Sequence, residues 1–255
     1  MLVELDLDGA VVLVTGGVRG VGLGITRAFL SAGAVVVTCA RRRAEVVGAS
    51  FLECDVRDPD QVSRLVSGIV QDFGRLDVLV NNAGGAPFTL ADGASPRFHR
   101  KVVELNLLAP LLVSQAANAV MRSQPSGGSI VNVSSISGRR PSPGTAAYGA
   151  AKAGLENLTA SLAVEWAPHV RVNALAVGMV RTEQSHLHYG SDAGIAAVEK
   201  TVPLGRLATP EEVGACAVFL ASPLASYVSG ATLLVHGGGE APAFLAVADT
   251  DGGSS

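Results

Sequence analysis

The chain has 255 residues, 48% hydrophobic and 16% charged, with a formal net charge of −3. That composition can build a sizeable core and is too apolar for a disordered segment, and its slight acidity argues against nucleic acid, which needs clustered Lys and Arg. The opening MLVELDLDGA lacks the basic and long apolar regions of a signal peptide, and no apolar run approaches the ~20 residues of a membrane span, so a cytoplasmic chain with no membrane partner is expected.

Short apolar runs alternate with helical patterns along the chain. Ala10–Thr15 reads as a buried strand, followed by Ile25, Ala28, Phe29 and Ala32 at helical spacing until Gly33. Ala34–Ala40 is a second strand, and ASFLECDV contains a third. Asp58-Pro59 opens a helix with Val62, Leu65, Val66, Ile69 and Phe73 on one face. LDVLVNN is a fourth strand, and one continuous helix is predicted from about Pro96 to Arg122. SIVNVSS is a fifth strand, Ala146–Trp166 a helix with Leu155, Leu158 and Leu162 inward, and VRVNALAV a sixth strand. Thr209-Pro210-Glu211-Glu212 has the form of a capping box before Val213, Cys216, Ala217 and Leu220, and ATLLVH closes as a seventh strand. Cys39, Cys54 and Cys216 are odd in number and far apart in sequence, as expected of reduced, buried thiols.

Apolar strands separated by helices imply a parallel sheet covered on both faces. The expectation is an α/β fold: one doubly wound, Rossmann-type domain over 1–255, with a seven-stranded parallel sheet and helices on both faces. Its ligand belongs at the carboxyl ends of the strands. The final DTDGGSS should fray, and the apolar GEAPAFLAVA before it suits either a subunit contact or a cover for the sheet edge.

The octet TGGVRGVG, Thr15–Gly22, joins the first strand to the first helix. Gly16, Gly20 and Gly22 allow a tight turn whose N–H groups and helix end favour a diphosphate; Gly17 has no role that the spacing assigns. A glycine turn without a ligand is the plain alternative. The second strand should carry the ribose reader, where a carboxylate suits a 2′-hydroxyl and an arginine a 2′-phosphate. It ends in Ala40 followed by Arg41, Arg42 and Arg43, with no carboxylate until Glu45. Arg19 and Arg41 then form a two-sided grip, with Arg42 secondary and Arg43 a solvated residue. NADP(H) is expected in preference, with NAD(H) as the alternative.

YGAAK sets Tyr148 and Lys152 four residues apart on one helical face. An ammonium beside a phenol should lower the tyrosine pKa from about 10 and produce an acid/base for a carbonyl or alcohol oxygen. Ser135, ending the fifth strand, can donate to that same oxygen.

These residues resemble the short-chain dehydrogenases/reductases, in order over nearly the whole chain. The matching stretches are TGGVRGVG, Asp55 in CDV, NNAG at Asn81–Gly84, Asn106 in NLLAP, SIVNVSS, YGAAK, GMVRT at Gly178–Thr182, PLGRLATPEEVGACAVFLAS and YVSGATLLVHGG. The resemblance implies a catalytic tetrad of Asn106, Ser135, Tyr148 and Lys152. Tyr148 would be the acid/base, Lys152 would lower its pKa and hold the nicotinamide ribose, and Asn106 would shape a helix and position a water. It also implies cofactor contacts from Gly16, Arg19, Gly20, Val21, Gly22, Arg41, Arg42, Asp55, Val56, Asn81, Asn82, Ala83, Gly84, Tyr148, Lys152, Gly178, Val180 and Thr182. Asp55 and Val56 belong around the adenine. The implied reaction is hydride transfer between a nicotinamide and a carbonyl carbon, interconverting a ketone and a secondary alcohol, in a dimer or tetramer.

Two departures stand out. Val177-Gly178 replaces the family's Pro-Gly, which should leave the turn intact, and RRRAEVVGAS is too short for a full helix. The stretch near 178–205 takes the place of the family's substrate lid, and Gly85–Phe88 with Arg139–Gly144 should line the pocket. No metal is expected, because His186 and His188 are two apart and lack further ligands nearby. Arg97, Arg100 and Lys101 suit either a solvated helix face or an acidic carrier protein, which keeps a 3-oxoacyl thioester reductase as an alternative. A non-catalytic dinucleotide sensor is the alternative from another class, and it would be expected to lack Tyr148 or Lys152.

Overall fold

In the computed structural model, which describes residue 5 and residues 7–247, the apolar runs assemble into one parallel sheet. The strands are β1 (Val11–Thr15), β2 (Val35–Ala40), β3 (Ser50–Glu53), β4 (Val78–Asn81), β5 (Gly128–Ser135), β6 (Val170–Val177) and β7 (Thr232–Val235). Their order across the sheet is β3-β2-β1-β4-β5-β6-β7, and every pairing is parallel. The helices are α1 (Gly20–Ser31), α2 (Pro59–Phe73), α3 (Pro96–Val103), α4 (Ala109–Met121), α5 (Ala146–Trp166), α6 (Ser185–Tyr189), α7 (Asp192–Glu199) and α8 (Pro210–Ala221). The fraying expected of DTDGGSS lies outside the described residues.

Successive side chains of a strand point to opposite faces, so one strand feeds two cores. Val11 and Leu13 pack with Val62, Leu65 and Ile69 of α2, Val113 and Met121 of α4, and Leu162 and Trp166 of α5. Val12 and Val14 pack with Ile25 and Phe29 of α1 and with Val213, Ala217 and Leu220 of α8. Each such fully buried aliphatic or aromatic side chain contributes roughly 1.5–3 kcal/mol. The inward face of α2 was legible from its period, and Asp58 caps that helix by accepting from the N–H groups of Asp60 and Gln61. Leu158 and Cys216 are only half-buried at the margins of these cores.

The continuous helix expected over Pro96–Arg122 is interrupted. Glu104–Leu108 forms a π-helical segment between α3 and α4. Pro110 has no N–H to return to the carbonyl of Asn106, and the Asn106 side chain donates to Val102 O at 2.9 Å. By length and composition Pro96–Met121 could cross a membrane, but Val102, Ala109, Val113, Ala117 and Met121 are buried against the protein's own core. Residues 41–49 contain no helix, in keeping with their length.

The chain leaves β1 towards β2 and β3 on one side and returns through β4 on the other. That reversal opens a crevice at the carboxyl ends of β1 and β4, where open α/β sheets hold ligands.

Candidate active site

The glycine turn leaves β1 into that crevice. Gly16 has φ +64° and donates to Cys39 O at 2.8 Å, while Gly20 opens α1 with φ +51°. A Cβ on Gly22 would sit 2.2 Å from Gly16 O, so this backbone can close only without a side chain. Gly17, for which spacing assigned no role, is equally constrained: a Cβ there would lie 2.5 Å from the hydroxyls of both Thr26 and Thr38. Thr26 Oγ1 donates to Gly17 O at 2.9 Å, tying the turn to its own helix.

Beneath the turn, Thr15 Oγ1 accepts from the backbone N–H groups of Asn82 and Ala83, both at 3.0 Å. Asn82 Nδ2 donates to Thr15 O at 3.0 Å and Gly16 O at 3.1 Å, so its amide braces the turn. Asn81, expected beside the cofactor, instead turns into the core. It is 3% exposed and donates to Ser114 Oγ and Asn132 Oδ1, in a chain that Asn132 extends to Thr159. Asn81 is the first asparagine of the NNAG stretch, and the strand's two-residue period sends it to the opposite face from Asn82.

The crevice is a cleft of about 610 Å³, within the range of small-molecule sites. Gly16, Arg19, Gly20, Val21 and Gly22 form one side, Arg41, Arg42 and Arg43 another, with Asp55, Val56, Asn82, Ala83 and Gly84 along its floor. Thr182, Glu183 and Gln184 reach over from the segment after β6. Arg19, Arg41 and Arg42 are exposed and make no ion pair with a carboxylate among the described residues. Asp55 is paired with Arg57, which holds its carboxyl below the ordinary value, with Arg41 adding to the effect. Cys39 and Cys54, 15 positions apart in sequence, both border the cleft. The neighbouring Cys54 thiol and burial push Cys39 up, whereas Cys54 is lowered by its Cys39 neighbour. All three cysteines are free thiols, Cys39 and Cys54 buried and Cys216 half-buried.

Tyr148 and Lys152 stand on the first two turns of α5, with Lys152 Nζ 5.6 Å from the centre of the tyrosine ring. Lys152 is 4% exposed, donates to Val133 O at 2.7 Å, and is pushed down by burial to about 8. The lowering expected for Tyr148 is reversed: burial raises its pKa, opposed only by the neighbouring Ser135 hydroxyl. The ammonium points to the Val133 carbonyl, so loss of solvent dominates at the phenol. At neutral pH the pair is therefore a protonated phenol beside a largely charged lysine.

Asn106 is fully buried and locks the loop after β4. It accepts from Gly85 N at 2.8 Å and donates to Gly85 O at 3.0 Å. Gly84 joins the cleft to Asn106 and Lys152, since a Cβ on it would stand 2.7 Å from Asn106 Oδ1 and 3.5 Å from Lys152 Nζ. The two loops expected to line the pocket meet directly, with Thr89 N donating to Gly144 O at 2.7 Å and the Phe88 ring covering Gly144. Gly178 donates to Val235 O at 2.9 Å, continuing the pairing of β6 with β7, and Val180 bridges to Ala208. Ser135, Tyr148, Lys152, Gly178 and Val180 lie outside the lining of the large cleft.

Three side chains at the site were missed by the sequence reading. Glu183 Oε1 accepts from Gly20 N at 3.1 Å, joining positions 163 residues apart. Glu156 accepts from Ser134 Oγ at 2.9 Å and from Arg139 Nε at 2.8 Å, bracing the end of β5 beside Ser135. Arg57 grips Asp55. The position of Glu156, four residues after Lys152 on one helix face, was the sole available hint.

Residues 16–240 match the family model described as Enoyl-(Acyl carrier protein) reductase. The chain is 35% identical over 252 residues to galactitol 2-dehydrogenase of Agrobacterium fabrum, covering 92% of this chain and 98% of that protein. It is 40% identical over 245 residues to L-fucose dehydrogenase of Bos taurus, covering 91% and 90%. The ligand-free structure of Thermoplasma acidophilum aldohexose dehydrogenase superposes with a TM-score of 0.89 at 30% identity, covering 99% of this chain and all of that one.

Proposed function

The chain belongs to the short-chain dehydrogenase/reductase family, NAD(P)(H)-dependent oxidoreductases, and we propose that within it this protein uses NADP(H) to interconvert a ketone and a secondary alcohol. The observation that carries the cofactor choice is the end of β2, where uncharged Ala40 is followed by exposed Arg41, facing Arg19 across one cleft. Two guanidinium groups with no ion-pair partner among the described residues suit a 2′-phosphate, and a carboxylate at Ala40 would repel it.

The residues present fit a dinucleotide. Gly22 leaves no room for a side chain where the backbone must approach a diphosphate, and α1 opens at Gly20, which with Val21 and Gly22 lines the cleft. Gly16, Gly20, Val21 and Thr182 would hold the diphosphate, Asp55 and Val56 the adenine, and Lys152, Gly178 and Val180 the nicotinamide riboside. When bound, the nicotinamide supplies or accepts the hydride. Tyr148 gives its phenolic proton to the substrate oxygen in reduction and recovers it in oxidation. Ser135 donates a hydrogen bond to the same oxygen, Lys152 keeps positive charge beside the phenol, and Asn106 holds the loop through Gly85. Residues 178–205, containing α6 and α7, act as a lid over the substrate.

The relatives that act on galactitol, fucose and aldohexoses support a polyhydroxylated alcohol or sugar as substrate. The family model's description supports the second reading, a 3-oxoacyl thioester, with exposed Arg97, Arg100 and Lys101 on α3 as the carrier contact. Exposed Leu108, Val164 and Leu234 support a homo-oligomer, and free thiols accord with a reducing cytoplasm.

The test is separate titration with NADPH and NADH. NADPH should bind at least tenfold more tightly, and Arg41→Ala should remove most of that margin while leaving NADH unchanged. Equal binding of the two cofactors would overturn the cofactor choice. A panel of sugars, polyols and an acyl thioester then separates the two substrate readings.

A further inference from the structure

Arg57 contributes nothing to the lining of the cleft, yet it decides what Asp55 can offer there. Its Nε donates to Asp55 Oδ1 at 2.9 Å and its Nη2 to Asp55 Oδ2 at 2.6 Å, a two-point, edge-on pair. Its backbone N–H adds a bond to Oδ1 at 3.1 Å. A carboxylate oxygen accepts about two hydrogen bonds. Among the described residues, Oδ1 is therefore saturated and Oδ2 has one acceptor site unspent. The Asp55 side chain keeps 25% of its surface open, and Asp55 borders the cleft.

The main chain here is fixed by other groups. Gln61 Oε1 accepts from Asp55 N at 2.9 Å, Asp58 N donates to Asp55 O at 2.9 Å, and Gln61 Nε2 donates to Asp58 Oδ2 at 2.8 Å. What Arg57 removes is the freedom of the carboxylate to rotate about its last bond. A planar guanidinium fork does this, whereas a lysine ammonium, a point charge, does not.

We propose that Arg57 is a positioning residue for base recognition: it turns Asp55 so that the one free acceptor on Oδ2 receives the 6-amino group of the cofactor's adenine. This rests on the reading above that the dinucleotide lies in this cleft with its adenine at Asp55. A 6-oxo base would set an acceptor against that acceptor and be rejected.

The probe is the pair NADPH and its hypoxanthine counterpart, which carries a 6-oxo group, each titrated by nicotinamide fluorescence into wild type, Arg57→Met and Arg57→Lys. Wild type should prefer adenine by about tenfold, the value of one well-made hydrogen bond. Arg57→Met should cut that preference to within about threefold, mainly by weakening the adenine form, and Arg57→Lys should cut it partly. Full preference in both variants, or equal weakening of both cofactors, would overturn the proposal, since a purely structural role moves both alike. Should Arg57→Met fail to fold by thermal unfolding, the ratio in Arg57→Lys decides on the same terms. No base preference in wild type would instead show that the adenine is elsewhere and overturn the proposal through its premise. Repeating the ratio with NADH and its hypoxanthine form keeps the outcome independent of the 2′-phosphate.

Discussion

Replacing Lys152 with methionine tests the electrostatics of the Tyr148–Lys152 pair through stability. Lys152 is 4% exposed and falls from an ordinary 10.5 to about 8 on folding, with burial as the cause. At 1.36 kcal/mol per pH unit, folding therefore opposes the ammonium by about 3 kcal/mol. The sign follows from proton counting. Between pH 8 and 10.5 the unfolded chain holds a proton that the folded chain has lost, so wild-type stability rises with pH in that window, and below pH 8 the full penalty applies. Lys152→Met removes the penalty but strands the Val133 carbonyl, at a cost of about 1–3 kcal/mol that does not vary with pH. The two nearly cancel at neutral pH, so the informative quantity is the change in their difference. Urea denaturation of both proteins, without cofactor, should show the variant's stability relative to wild type declining by about 2–3 kcal/mol from pH 7 to pH 10. A difference that stays constant with pH would refute a buried, pKa-depressed lysine. The raised pKa of Tyr148 acts with the opposite sign above about pH 10.

Other outcomes follow from the same geometry. Tyr148→Phe should lower kcat by roughly a thousandfold or more, while NADPH affinity stays within about twofold by fluorescence titration. In Gly24→Ala the helix-propensity gain of about 1 kcal/mol opposes a Cβ placed 2.3 Å from Pro210, where α1 meets α8. Overpacking of about 1–3 kcal/mol should win, lowering the melting temperature and, because α1 carries the glycine turn, weakening cofactor binding. Glu183→Gln should tighten NADPH binding about two- to fivefold at low ionic strength, because the carboxylate now bonded to Gly20 N competes with a diphosphate for the positive end of α1. The gain should shrink as salt is added, and binding that weakens would mean that Glu183 instead closes the lid over the cofactor.

Much of this protein was written locally. Strand period, the Asp58 cap, the Thr209–Glu212 capping box and the i, i+4 spacing of Tyr148 and Lys152 act over a few residues, so the chain order alone placed them. The parallel sheet followed because fully apolar runs must be covered on both faces. The family motifs then named the family, since their order over the chain is far more specific than any one of them. What only the tertiary structure decided involves partners distant in sequence or the burial they create. Gly17 was unremarkable until Thr26 and Thr38 closed around it, and Asn81 left the cofactor side because the last turn of the strand's period aimed it at Ser114 and Asn132. Tyr148 was expected to be acidified by its neighbour, but desolvation is a property of everything packed around a group and outweighed one lysine turned towards Val133. The bond from Gly20 to Glu183, the meeting of Cys39 with Cys54, and the single free acceptor that Arg57 leaves on Asp55 share that origin. Sequence spacing sets which side chains one element can present, and only the folded packing sets what they face and which of their hydrogen bonds remain to be made.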